Sequence, residues 1–512
     1  MNIYPKKDFN IKDVRASLKP LSIAGVMAKL MDTFCAGTFL IAYALELKAS
    51  YFEIGILTSL VHFGNLFQIP MAYLIEKYHY RKLLLALSHV VARAGLFATS
   101  MLIFFSTKSW VVEALIIIYA IRYFSGRAGA IAWNSMIKDL IPNKIMGSYF
   151  ANRMKYQISA GIIASLIGAY FIDFWKKSYP ENAIYAYSFI IFVGGIFAVI
   201  NTLIFMKVPE PPMKSSKETE GMSFFVKFQA PFKDKNFIKI TKFLCSWNFA
   251  NNLAIPFFSA FLLKEMDIDL FTISCLNILS QMTNVILLNI WGKIADKYCY
   301  KSVLFTTTPL LIFSVFLFIF VDFSQFKPVL TPFLCFIHLL IGMAQAGITL
   351  STTNIALKNA HSQLASTYLS ANSIMVSFSS ALASIIGGSL IDFLSSHKSF
   401  EIKFFGNVFH MTNASSWDLL FVISILFCFI SLYFLKKVSE KGETSIKNVL
   451  QEFIFIFKNK VKNNIIFRIK YKVASLSPFE YEEIVFIDPI NEQKTIKKKR
   501  KLKSFKSRKK SS

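Results

Sequence analysis

The side chains best placed to do chemistry in this chain are the ionisable and imidazole groups that stand inside long apolar runs. Lys29 and Asp32 lie three residues apart in the first run, on one face of a helix. His62 and Asn65 share the second run, His89 and Arg93 stand one turn apart in the third, and Arg122 lies in the fourth. A charge in hydrocarbon is costly, so each of these groups needs a partner, a wet cavity or a task. Lys29 and Asp32 can neutralise one another. If Asp32 faces a cavity instead, it is the natural proton carrier, because no other carboxylate sits deep in a run. An isolated membrane His is more often a hydrogen-bonded packing residue than a proton switch. The later runs offer mainly uncharged polar groups: Asn248, Asn251 and Asn252, then Gln281 and Asn284, then His338 and Gln345. Interhelical hydrogen bonding accounts for most of these, and contact with a solute is the alternative. Lys29, Arg93 and Arg122 outweigh Asp32, which favours an anionic or zwitterionic solute.

Phe occurs 54 times in 512 residues, and 54% of the chain is hydrophobic. Apolar runs long enough to cross about 30 Å of hydrocarbon recur throughout. We count twelve spans: 21–45, 53–75, 83–106, 111–134, 156–174, 184–206, 238–263, 270–291, 302–321, 330–353, 366–391 and 418–436, with spans 5 and 11 interrupted by polar positions. The first run is too long for a signal-peptide core and reads as span 1. The net charge of +27 does not point to nucleic acid, because the cations gather on alternate loops. Lys6, Lys7, Lys12, Arg15 and Lys19 precede span 1, and Lys77, Arg81 and Lys82 follow span 2. This is the positive-inside pattern, and it places both termini in the cytoplasm, with Lys176-Lys177 the outlier. The six Cys are scattered without a Cys-x-x-Cys pair, so neither a metal nor a disulfide framework is expected. No Gly-x-x-x-x-Gly-Lys-Ser/Thr run is present, which argues against a fused ATPase. No cofactor is expected.

The chain also repeats itself. Ala72-Tyr-Leu-Ile-Glu76-Lys77-Tyr-His-Tyr-Arg81-Lys82 matches Gly292-Lys-Ile-Ala-Asp296-Lys297-Tyr-Cys-Tyr-Lys301-Ser302. At nearly the same offset, Ala164-Ser-Leu-Ile-Gly-Ala-Tyr-Phe-Ile-Asp173-Phe174 aligns without a gap on Ala383-Ser-Ile-Ile-Gly-Gly-Ser-Leu-Ile-Asp392-Phe393. Two matches in one register argue for a duplicated half. They predict an all-α polytopic membrane protein, with twelve transmembrane helices in two pseudo-symmetric six-helix bundles. The expected divisions are a first bundle at 1–207, a cytoplasmic linker at 208–237, a second bundle at 238–437 and a basic tail at 438–512. In the tail, Thr444 to Phe457 places Ile446, Leu450, Phe453 and Phe457 at helical spacing, as in an interfacial helix. Lys497 to Lys510 is polybasic, and anionic lipid headgroups would attract it by about 1 kcal/mol per cation.

The charged repeat resembles the loop between helices 2 and 3 of the major facilitator superfamily, Gly-x-Leu-x-Asp-Arg-x-Gly-Arg-Arg/Lys. In the first copy Ala72 replaces the Gly, Glu76 the Asp, Lys77 the Arg and His79 the second Gly, while Arg81 keeps the final cation. The second copy, with Gly292, Asp296, Lys297 and Lys301, is closer. The resemblance implies a latch in which the acid caps a helix across the interface between halves; the plain alternative is a turn with solvated charges. Arg122-Tyr-Phe-Ser-Gly126 is similar to the family's Arg-x-x-x-Gly pattern in helix 4, whose Arg faces the central cavity and is linked to proton coupling. Asp139 is expected to pair with Arg81; its counterpart is Asn359, so the second half cannot form the same ion pair. The run from Trp133 to Arg153 resembles bacterial members with mostly unassigned substrates, which implies the cytoplasmic (inner) membrane and a monomer.

These features predict a secondary transporter rather than an enzyme. It would move a small solute by alternating access, driven by an ion gradient, with protons the candidate coupling ion, or by the solute's own gradient. The alternatives are a polytopic membrane transferase and a transporter-like sensor. The short loops and the internal symmetry count against the transferase.

Overall fold

In hydrocarbon every backbone N–H and C=O must be bonded within its own segment, and the apolar runs accordingly fold as helices. The computed structural model describes residues 5–6, 9–213, 230–321, 327–358, 365–396, 401–404, 407–410, 413–440, 442–459, 484–487 and 494–497. Among these, ten helices are long and apolar enough to cross a membrane. The other two spans carry more polar or irregular backbone and complete the twelve.

Span 1 is α1 (Ile11–Cys35) and α2 (Gly37–Glu46), and span 2 is α3 (Tyr51–Gly64) and α4 (Gln68–Tyr78) joined by the 3-10 turn Asn65–Phe67. The rest of the first half is α5 (Arg81–Met101), α6 (Val111–Leu140), α7 (Asn143–Ser178) and α8 (Ala183–Met206). The second half comprises α9 (Lys235–Lys264), α10 (Leu270–Lys297), α11 (Tyr300–Ile319), α12 (Lys327–Lys358), α13 (Ala365–Ser396) and α14 (Asn413–Lys437). A last helix, α15, spans residues 446–459. Two short antiparallel hairpins complete the described residues, Glu401–Phe404 with Asn407–His410 and Ile484–Ile487 with Lys494–Lys497.

The interrupted spans are not those expected. Spans 5 and 11 are continuous in α7 and α13, because their polar side chains find partners without breaking the backbone ladder: Ser380 returns to Val376 O on its own helix, while Gln157 and Ser379 donate to Gly25 O and Cys245 O on neighbouring helices. Spans 1 and 2 are the broken ones. Ala36 is extended and Gly37 takes φ +56°, a left-handed turn that glycine adopts without strain. His79, standing where the family pattern has glycine, also caps α4 with φ +59°. A non-glycine residue there is expected to cost about 1 kcal/mol.

At the end of the molecule where α1 begins and α14 ends, here called the terminal face, each half is tied by one buried acid. Glu210 accepts from the backbone N–H of Arg81 (3.1 Å) and Lys82 (3.2 Å), capping α5, and from Arg81 Nε at 3.2 Å. Arg81 Nη1 reaches Asp139 at 2.5 Å, and Nη2 donates to Pro211 O at 2.6 Å. Glu440 repeats the device, accepting from Tyr300 N and Lys301 N at the start of α11 and pairing with Lys358 at 2.9 Å. Lys301 donates to Glu443 at 2.7 Å and to Val438 O at 2.6 Å. Asn359 lies outside the described residues. The repeat Lys207-Val208-Pro209-Glu210 against Lys437-Val438-Ser439-Glu440 is the sequence trace of this pair. Arg81 and Glu210 are both fully buried, so Glu210→Ala strips Arg81 of one of its two carboxylates and removes the acceptor from the Arg81 and Lys82 N–H groups. That should destabilise the fold by about 1–3 kcal/mol for each donor left unsatisfied. A clear fall in the thermal unfolding midpoint in detergent is the expected reading, and an unchanged midpoint would contradict it.

The helix α15 is anchored rather than free. Val449 is fully buried, the Phe453 ring packs on Trp291 at 4.8 Å, and Glu452 pairs with Lys297 at 2.6 Å. Ile446, Leu450 and Phe457 remain exposed along an adjacent stripe. The polybasic segment from residue 498 onward, and most of the linker, lie outside the described residues. Deleting the chain after residue 459 should therefore leave thermal stability unchanged. Deleting it after Lys437 removes the Glu440 cap and should lower the melting temperature; equal melting of the two truncations would refute the docking role.

Candidate functional site

The two halves meet along three helix pairs: α3 against α13, α7 against α10, and α2 against α9. The first is the most extensive, and glycines make it possible. A Cβ on Gly55 would strike the backbone of Ser384, and one on Gly388 the backbone of Tyr51. By contrast α4, which continues span 2 toward the terminal face, packs on α6 rather than on α13.

The seal at the far face is reciprocal. Asp392 at the end of α13 accepts from Tyr51 N (3.1 Å) and Phe52 N (2.7 Å), the first residues of α3. Asp173 at the end of α7 accepts from Leu270 N (3.2 Å) and Phe271 N (2.6 Å), the first residues of α10. Each helix start also has its own cap, Ser50 for α3 and Asp269 for α10. A carboxylate at a helix N-terminus satisfies orphan N–H groups and faces the positive end of the dipole. These two acids are the matched pair of the ungapped repeat; the repeat was legible, but the role of its acids was not.

Between the halves lies a cavity of about 610 Å³. From the first half Lys29, Asp32 and His62 line it, together with Thr33, Thr58 and Tyr123. From the second half come Asn252, Gln281, His338 and Gln345, with Asn277 and Ser259. Apolar residues share the lining, among them Ile41, Leu57, Phe258 and Leu262. The break in span 1 opens here: Ala36, Gly37 and Thr38 are on the wall, and no side chain caps the start of α2.

Polar links cross the cavity from one half to the other. His62 Nε2 is 3.0 Å from Asn252 Oδ1, and Thr38 Oγ1 lies 3.3 Å from both Ser259 Oγ and Asn277 Nδ2. Asn65 Nδ2 donates to Ser377 Oγ at 2.9 Å just outside the wall. His338 Nδ1 is 2.9 Å from Leu334 O within its own helix.

Several expected cavity residues stand elsewhere. Arg93 reaches Asn201 Oδ1 (3.2 Å) and Ala198 O (3.4 Å), tying α5 to α8 away from the wall. Arg122 is buried behind Tyr123, its guanidinium 5.0 Å from the Tyr119 ring centroid and 4.8 Å from that of Tyr123. Its Nη1 has no hydrogen-bond partner. Asn248 donates to Leu244 O on its own helix, and Asn251 is off the wall. The count of three cations against one acid therefore does not describe the wall. Lys29 and Asp32 are its charged groups, one of each sign.

The second-copy motif stands open. Asp296 is exposed and, among the described residues, caps no neighbouring helix. Gly292 approaches only Leu350, and the Glu76 side chain lies outside the described residues.

The arrangement agrees with what comparison finds. The sequence pattern described as "Major Facilitator Superfamily" matches residues 22–384. No curated protein matches the chain. Among solved structures, a mutant of the nucleoside transporter NupG superposes with a TM-score of 0.65 at 16% identity, covering 83% of this chain and all of that one (100%). A bacterial homologue of the human lysosomal transporter Spinster, inward-facing and unoccupied, gives 0.61 at 13% identity, covering 87% and 99%. A bacterial homologue of the iron transporter ferroportin, inward-facing, gives 0.61 at 10% identity, covering 85% and 100%. At these identities the likeness is one of fold. With the family pattern matched over well more than half its length, this multi-pass membrane chain belongs to the Major Facilitator Superfamily.

Proposed function

We propose that the protein is a secondary transporter that moves a small solute by alternating access, coupled to protons through Asp32. The observation that carries this reading is a polar cavity at the seam of two matched halves, sealed at one face by a reciprocal pair of acid caps. A seam that can part on either side of a central site is what alternating access requires. The present conformation corresponds to the state open at the terminal face, and the cation-rich loops favour that face as cytoplasmic, in the inner membrane of a bacterium. In the opposite state Glu76 and Asp296 would cap helices across the closed terminal face, as Asp173 and Asp392 do at the far one. The halves would then move as units at 1–207 and 238–437, joined by the linker at 208–237, with the tail from 438 held near anionic lipid. The protein would work as a monomer. Family membership points to transport rather than catalysis.

The test is flux in proteoliposomes holding the purified full chain, with solutes taken from a thermal-shift screen, with and without a pH gradient. Movement of unaltered solute that responds to the gradient supports the proposal. Conversion to product, or binding without flux, sinks it.

A further inference from the structure

We infer that the cavity binds amino-acid-sized zwitterions with an apolar body, the ammonium on Asp32 and the carboxylate on Lys29. The inference rests on the transport reading for its location and goes beyond it in naming the chemical class. Three observations carry it. Lys29 and Asp32 are the charged residues on the wall, and among the described residues neither forms a hydrogen bond through its charged group or an ion pair, either with the other or elsewhere. They sit at i and i+3 on α1, a spacing of about 5–6 Å between Cβ atoms, which suits a molecule carrying both charges close together. The other cations nearby are off the wall: Arg93 is engaged by Asn201, Arg122 lies under two tyrosine rings, and Arg127 does not line the cavity.

The positions of the two groups are set by packing. The stem of Lys29 crosses Gly161 of α7, where an added Cβ would come within 2.7 Å of Lys29 Cε. The side chain is thereby laid along the wall rather than left to snorkel out. Beyond Asp32, Ala36, Gly37 and Thr38 at the uncapped start of α2 stand on the same wall, and a helix N-terminus is a second favourable place for negative charge. The apolar part of the lining, with Leu57 and Phe258, would receive the body of the solute. A carboxylate that accepts an ammonium gives up its proton, so solute and proton would be exchange partners rather than co-travellers.

Binding to the purified full chain in nanodiscs tests this without any requirement for flux. Two matched sets serve as probes: leucine, isocaproate, isoamylamine and isoamyl alcohol, and phenylalanine, hydrocinnamate, phenethylamine and phenethyl alcohol. The expected result is that at least one zwitterion binds about tenfold or more tighter than each of its three relatives, the factor for about 1.4 kcal/mol. Asp32→Asn should then erase the preference over the carboxylate-only probe, and Lys29→Met the preference over the amine-only probe. Both variants should elute as the wild type on size exclusion. Tighter binding of a singly charged or neutral probe in both sets, or no binding by either zwitterion, overturns the inference. Zwitterion binding without flux would spare it while sinking the transport reading; flux of a different solute class would do the reverse.

Discussion

A chain carrying both Asp173→Asn and Asp392→Asn is expected to open at its far face. Each carboxylate now accepts two backbone N–H groups at the start of a helix in the other half, at 2.6–3.2 Å for Asp173 and 2.7–3.1 Å for Asp392. Asparagine keeps the shape but offers one oxygen and no charge. A partly buried carboxylate at a helix N-terminus is worth up to about 2 kcal/mol, so each replacement can shift the balance between conformations by roughly thirtyfold. The two acids sit on separate helix pairs, so their effects should add. Spin-label pairs across α3 and α13 would read the change as a longer far-face distance and a shorter terminal-face one. Unaltered distances in the double variant would mean that the caps do not hold this state. The helix packing within each half, such as α5 on α6, does not involve these caps, so the expected outcome is a shifted equilibrium rather than an unfolded protein.

Asp32→Asn is expected to abolish the response of transport to a pH gradient. Asp32 is the one carboxylate on the cavity wall among the described residues, and it is open to the cavity rather than engaged by Lys29. An asparagine at this position can neither take up nor release a proton, so any coupling through this group disappears entirely. Proteoliposome flux measured with and without the gradient should become identical for the variant, and lower than wild type by about tenfold if the solute's ammonium also uses this group. A variant that still responds to the gradient would remove Asp32 from the coupling step. Replacing Arg122 is expected to act differently, through the packing of Tyr119 and Tyr123 and the field at Asp32, because it does not touch the cavity.

Span count, the matched halves and the family were legible in the chain because they depend on local composition and on repetition. A run of about twenty apolar residues has one low-energy fold in hydrocarbon, whatever its neighbours do. The pairing of Arg81 with Asp139 was legible for a similar reason, since both stand at helix ends brought together by a short connection. Asp32, Lys29, His62, Gln281, His338 and Gln345 were placed on the wall by a simple rule: a polar group inside a span must meet another polar group or water.

The same rule misplaced Arg93, Arg122, Asn248 and Asn251, because it cannot say which polar neighbour each would find. Arg93 finds Asn201, and Arg122 finds two aromatic faces, through helix rotations that no single helix encodes. Nor could the sequence reveal that the repeated acids at 173 and 392 exchange partners between halves, since each bonds backbone N–H groups about a hundred or more residues away. What the sequence determined by itself is the set of helices and their kinship, which follow from the solvent each residue meets. What only the tertiary structure decided is which face of the seam is shut and which charges remain unpaired inside it, because both depend on how rigid helices rotate and tilt against one another.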